Sequence, residues 1–228
     1  MLTYRRTLAA SALAVAALVT TACSPGADTP ESGGGSAGKP AARGTALAAV
    51  DTLTVKGRAP KTGYEREKFG RAWVDVDGNG CGTRDDILKR DLAGVRFTDG
   101  HCKVASGTLT DDPYTGTTVS YVRGRSKVDI DHVVALSDAW QKGAQKWDGE
   151  TRRRFANDPL NLLAVDAATN RRKSDGDAAT WLPPNRAYRC TYVARQVAVK
   201  KKYGVWVTGG ERDAMKKVLA GCPQQKLP

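Results

Sequence analysis

The sequence predicts an α+β domain, stapled by disulfides, with strands in its middle and a helical C-terminal part. Three observations carry that expectation. Two segments, "GVRFTDGHCKVASGTLTD" (94–111) and "GTTVSYVRGRSKVDIDH" (116–132), alternate apolar and polar residues around Gly, Asp and Pro turns. Beyond residue 184 the text turns helical, in "PNRAYRCTYVARQVAVKKKYG" and "GERDAMKKVLAGC". Cys81, Cys102, Cys190 and Cys222 form an even set, which implies disulfides in an exported chain.

Taken in order, "GYEREKFGRAW" (63–73) and "TRDDILKRDL" (83–92) read as two helices, the second with Thr83 as its N-cap. The two alternating segments supply two or three strands. Short helices follow in "SDAWQKGAQKW" and "GETRRRFAND", then a brief buried strand in "LNLLAV" (160–165). "DAATNRRKSDGDAATW" starts as a helix capped by Asp166. Of the three possible disulfide connectivities, Cys81–Cys102 with Cys190–Cys222 is favoured because each bond closes one local segment. No C-x-x-C occurs, which argues against a structural zinc site.

The first residues read as an address. Arg5 and Arg6 precede "TLAASALAVAALVTTA", an apolar run closing on small residues, as in a secretory signal over 1–22. The run is short for a membrane span. Cys23 follows Ala22 in the position of a lipoprotein cysteine, although Thr20 stands where such signals prefer Leu, so a lipid anchor and plain secretion both stay open. Residues 23–45 are rich in Gly, Ser, Pro and Ala and read as a flexible tether. Within them Gly33 to Lys39 spells the start of a phosphate-binding loop. Pro40 stands where Ser or Thr would hold magnesium, and no strand precedes, so no nucleotide cofactor is expected. The folded domain is expected over 46–228, as a monomer.

The chain has 36 basic and 24 acidic residues, a net charge of +12. Without Arg5 and Arg6 a surplus of 10 remains, which serves solubility or a polyanionic partner such as nucleic acid.

One of only two histidines, His132, follows Asp131 at the end of an alternating run. Asn161 opens the next strand, and Asn170 falls on the helix beyond, with Lys173 one turn later. Strand, long loop, strand and helix carrying D-H, N and N-x-x-K resemble the ββα-metal core of HNH endonucleases. The fuller text in "DHVVALSDAWQKGA", "FANDPLNLLAV", "NRRKSDGDAATWLPPN" and "FGRAWVDVDGNGCGTRDDILKRDL" is similar to exported bacterial HNH proteins of the DUF1524 family. That family is related to the C-terminal nuclease domain of GmrSD-type restriction enzymes, and the resemblance covers residues 60–207. It implies a metal-dependent endonuclease acting on nucleic acid, DNA before RNA, leaving 5′-phosphate and 3′-hydroxyl ends.

The residue types suit that chemistry. A hard divalent cation, Mg²⁺ or Mn²⁺, takes oxygen ligands such as Asp131 and Asn170. His132, on the adjacent strand position, points away and serves as general base. The resemblance gives Asn161 the task of fixing the loop and the imidazole. Lys173, and with it Arg153 or Arg154, is a candidate for holding phosphates. Asn170 replaces the third histidine of many such sites and is a weaker ligand. His101 reads as a turn residue, and Trp140, Trp147 and Trp181 read as core aromatics.

A second acidic cluster, Asp75, Asp77, Asn79 and Asp86 in "DVDGNGCGTRDD", has D-x-D-x-N-G spacing and invites a calcium reading. Asp86 is shorter than the usual Glu, and Gly82 replaces an apolar residue. An Asx-rich turn stapled through Cys81 explains the same residues, and so does a loop bordering a cleft with Arg84 on a phosphate. Against the nuclease stands a non-catalytic reading: a basic envelope or nucleic-acid binding protein with a decayed core.

Overall fold

The computed structural model describes Ala42 and residues 44–228. The secretory signal, Cys23 and the glycines at 33–38 lie outside the described residues. Thr45, which the sequence reading leaves in the tether, is buried. Its hydroxyl accepts from the Ala48 amide at 3.3 Å and caps α1 (Ala46–Val50). The Ala46 amide donates to the Gln225 carbonyl at 2.7 Å, so the two ends of the folded body meet.

The strands form two small sheets. β1 (Ala93–Phe97), β2 (Val104–Leu109) and β3 (Val119–Val122) make an antiparallel meander in chain order. β4 (Val128–His132) pairs antiparallel with β5 (Leu162–Asp166), setting Asp131 opposite Leu163 and His132 opposite Leu162. Helix α2 (Thr83–Asp91) buries Ile87 and Leu88 against both sheets, with Val104, Tyr121, Ile130 and Leu162 in one core.

Between β4 and β5 the chain runs through α3 (Leu136–Gln141) and α4 (Gly149–Ala156). Helix α5 (Ala167–Lys173) starts straight after β5, its N-cap Asp166 accepting from the Thr169 amide at 2.7 Å, as its sequence predicts. The tail is helical as expected: α6 (Arg189–Tyr203) and α7 (Gly209–Ala220) pack with α1 around Val193, Val197, Met215 and Leu219. Both expected disulfides are present, with Cα–Cα distances of 5.2 Å for Cys81–Cys102 and 6.4 Å for Cys190–Cys222.

Three local expectations are corrected. Residues 63–73 hold only one 3₁₀ turn, Arg66–Phe69, because Gly70 takes φ +78° and ends it. Thr83 is the first residue of α2 and not its cap; its hydroxyl donates to the Val74 carbonyl instead. The helix expected over 137–147 breaks at Gly143, whose φ of +129° excludes a helical turn.

The loop entering β5 is gripped from two sides. Arg90 of α2 donates to the Pro159 and Leu162 carbonyls at 2.9 and 2.8 Å. Arg195 of α6 reaches Leu160, Pro159 and Leu162 carbonyls at 2.7, 2.9 and 3.1 Å. A charge cluster, buried except for the partly exposed Arg58, ties the helices behind. Lys142 lies 2.7, 2.8 and 2.6 Å from Asp138, Asp177 and Glu211, with Lys200 and Arg58 completing three cations against three carboxylates.

Candidate active site

The end of β4 delivers His132 and Asp131 to the wall of a cleft of about 330 Å³, which Asn170 of α5 also lines. The two β4 side chains diverge, as strand geometry requires. His132 is 7% exposed, and its Nε2 lies 2.7 Å from the Ala156 carbonyl at the end of α4. A carbonyl only accepts, so Nε2 carries the proton and a neutral ring leaves Nδ1 as its basic atom. Burial pushes the imidazole down to about 3, against the opposing effect of the Ala156 carbonyl and with help from the positive charges of Arg66 and Lys173. The ring is therefore neutral at pH 7.

Asp131 is 6% exposed and stands in a dense hydrogen-bond set. Its Oδ2 accepts from the Tyr114 hydroxyl, and Lys173 Nζ approaches Oδ1 at 3.0 Å. Burial raises the Asp131 carboxyl above its usual range, opposed by Lys173 and Tyr114. Lys173 also donates to the His132 carbonyl at 2.9 Å and is 2% exposed. The expected phosphate contact by Lys173 is thereby corrected: its ammonium is turned inward, under the site, because the carboxylate of Asp131 needs a buried counter-charge.

Asn161 is fully buried and clamps the turn after His132. Its Oδ1 accepts from the Val134 amide at 2.8 Å, its Nδ2 donates to the Val134 carbonyl at 3.2 Å, and its own carbonyl takes the Val133 amide at 2.8 Å. Asn170 donates from Nδ2 to Asp129 Oδ2 at 3.2 Å, which leaves Oδ1 without a donor among the described residues. Asp131 and Asn170 both line this cleft, and their side-chain oxygens are the ligand type a hard divalent cation takes. Both carboxylate oxygens of Asp131 are already engaged, one by Tyr114 and one by Lys173.

Arg153 and Arg154 lie on the exposed face of α4, tied to Glu150 at 2.7 and 3.8 Å, and neither lines the cleft. Arg66, which sequence reasoning missed, lines both this cleft and an adjoining one, and has no carboxylate partner among the described residues. Asp129 and Tyr114 were missed as well. The Asp-x-Asp alternation in "VDIDH" holds the signal for Asp129, since positions two apart share a strand face. Tyr114 reaches the site from a loop and left no signal.

The acidic loop is an Asx-turn network. Asp75 accepts from the Gly78 and Gly80 amides, both at 2.8 Å, Asp77 from the Asn79 amide at 3.2 Å, and Asp86 from Asn79 Nδ2 at 3.1 Å. Arg84 stands 5.8 Å over the Trp73 ring. Cys81, His101 and Cys102 converge closely enough to suggest a metal cluster, but the two sulfurs are bonded to each other and offer no thiolate.

The chain belongs to the family of GmrSD restriction endonucleases, C-terminal domain, which it matches over residues 82–218. That stretch contains β4, β5 and α5 with Asp131, His132, Asn161 and Asn170, and leaves out Asp75, Asp77 and Asn79. Over 180 residues, 78% of this chain and 85% of the other, it is 40% identical to a protein of Arthroderma benhamiae described as an uncharacterized secreted protein. Similarity to this chain is thus not confined to bacterial proteins. Membership defines a nuclease-type domain, and nucleic acid as its class of substrate.

Proposed function

We propose that the protein is an exported HNH-type endonuclease that hydrolyses phosphodiester bonds, in DNA before RNA, with His132 as general base. The observation that carries the reading is the neutral His132 ring, held through Nε2 on the Ala156 carbonyl, in the wall it shares with Asp131 and Asn170. Nδ1 takes a proton from water as the water oxygen attacks phosphorus, and the 3′ oxygen leaves. Asn161 positions the turn behind the base, and Arg66 holds a flanking phosphate oxygen.

Asp131 and Asn170 would hold one Mg²⁺ or Mn²⁺, which when bound supplies positive charge to the non-bridging and departing oxygens. Lys173 opposes the effect of burial on the Asp131 carboxyl and fixes it in place. Export is supported by the apolar leader, by two disulfides, and by the name of the fungal relative. Lipid attachment at Cys23 remains part of the proposal, to be read by mass spectrometry of the membrane fraction.

The test is a plasmid-nicking assay on the oxidised mature protein with Mg²⁺ or Mn²⁺. Nicking abolished by EDTA, and reduced at least about a hundredfold in His132→Ala, is the expected result. Full activity in that variant refutes the base. Salt-sensitive DNA binding with no cleavage under any metal would establish the non-catalytic reading instead.

A further inference from the structure

A second cavity of about 390 Å³ adjoins the cleft, sharing His132, Arg66 and Leu136 with it. It opens between the turn at 66–73 and the end of α4, within the size range of small-ligand sites. Its lining is mostly apolar, from Phe69, Ala72, Trp73, Leu136 and Ala156, with Arg66, Arg71 and one carboxylate, Glu67, also on its wall. The Trp73 ring lies within 19° of parallel to the His132 ring, with centroids 6.3 Å apart. A flat aromatic face beside the base, flanked by two guanidinium groups against one carboxylate, suits a planar ring that carries a phosphate.

The surroundings hold Trp73 in an unfavourable backbone conformation. Its φ is +60°, uncommon for any residue with a side chain and costly for a bulky one. The acidic loop enforces it. A Cβ on Gly82 would sit 2.9 Å from the Trp73 carbonyl oxygen, the Thr83 hydroxyl holds the Val74 carbonyl, and Cys81–Cys102 fastens the loop to the strands. The Asx turns of 75–86 thereby have a task that requires no calcium: they brace an aromatic platform at the cleft.

We infer that this cavity is a nucleobase subsite, in which the unpaired base of a nucleotide flanking the scissile phosphate stacks on Trp73. The inference rests on the nuclease reading for its substrate class and adds a preference for single-stranded or locally unpaired nucleic acid. Arg66, on the walls of both cavities, spans from the phosphate at His132 to the base's own phosphate. Stacking tolerates every base, so the subsite gives a strand-state preference without sequence specificity.

Binding in EDTA tests the subsite apart from cleavage. Fluorescence anisotropy would compare a labelled single-stranded dodecanucleotide, its abasic counterpart and the matching duplex on the oxidised full chain. The intact single strand should bind about 5- to 150-fold more tightly than the abasic one, the range expected for one stacked base. Trp73→Ala should remove that difference and Trp73→Phe should retain most of it. Equal affinity of the wild type for intact and abasic strands overturns the inference, whatever the folding of the variants. Preference for the duplex overturns it too, as does the cavity binding a protein partner while ignoring both strands. Failure to cleave with any metal would sink the nuclease reading while leaving a measured base preference standing.

Discussion

Replacing Lys142 by Met should destabilise the protein more than any exposed substitution. The ammonium is fully buried and lies 2.7 Å from Asp138, 2.8 Å from Asp177 and 2.6 Å from Glu211. With Lys200 and Arg58 it balances three carboxylates. Met fills most of the lysine stem, so packing changes little and the loss is electrostatic. Removing one partner of a buried pair leaves an uncompensated charge and costs about 3–5 kcal/mol. For a domain of this size that corresponds to a Tm lowered by about 6–20 °C. Urea unfolding followed by circular dichroism would measure it. Adding Glu211→Gln to Lys142→Met restores charge neutrality and should recover part of the loss, a non-additivity that the double-mutant cycle reads directly. A single-variant cost below about 1 kcal/mol, or strictly additive losses, would refute the view that this cluster is held by mutual compensation.

Other predictions follow from the same contacts. Asp177 is held down to about 2 by Lys142 and Arg58 against the cost of its burial. Its contribution is present above the ordinary carboxylate value and is lost as pH falls from about 4 to about 2, with a slope of about 1.4 kcal/mol per pH unit. Asp177→Asn should flatten that limb in acid-unfolding curves. Asn161→Ala leaves the Val134 amide and carbonyl unpaired in the interior, costing about 1–3 kcal/mol. Single-turnover cleavage by that variant should fall even where it is fully folded. Serine replacement of Cys81 and Cys102 should weaken single-strand affinity in the anisotropy assay. The same change at Cys190 and Cys222 should lower Tm while leaving affinity near wild type, since that bond joins the start of α6 to the turn after α7 and neither cysteine lines the cleft.

The parts of the fold legible in the sequence were those fixed by local pattern. The alternation around 128–132, the Asp166 cap and the helical tail each depend on neighbours in the chain, and each is present. The residues 63–73 were misread because their charged and aromatic spacing mimics a helix while Gly70 and Trp73 take positive φ. Asp131, His132, Asn161 and Asn170 were named together from their resemblance to a motif, and the structure places all four at the end of β4, at the entry to β5 and within α5. Arg66, Tyr114 and the inward turn of Lys173 could not be named that way. Their roles depend on long-range approach: Tyr114 meets Asp131 across 17 residues and Lys173 meets it across 42. A lysine on a helix face looks the same in sequence whether it greets a phosphate or supports a carboxylate.

The grip of Arg90 and Arg195 on the carbonyls ahead of β5 bears on whether this site can be moved. The strand pair and α5 span only residues 128–173, and that fragment would carry the proposed base His132, the proposed metal ligands Asp131 and Asn170, and Asn161. Yet the imidazole is aimed by a carbonyl at the end of α4, and the segment leading from there into β5 is moored to two helices outside the fragment, one before it and one after it in the chain. A trimmed core would keep the reactive side chains and lose their aim. Transplanting the activity into another scaffold therefore calls for the two arginines and their helices to travel with it.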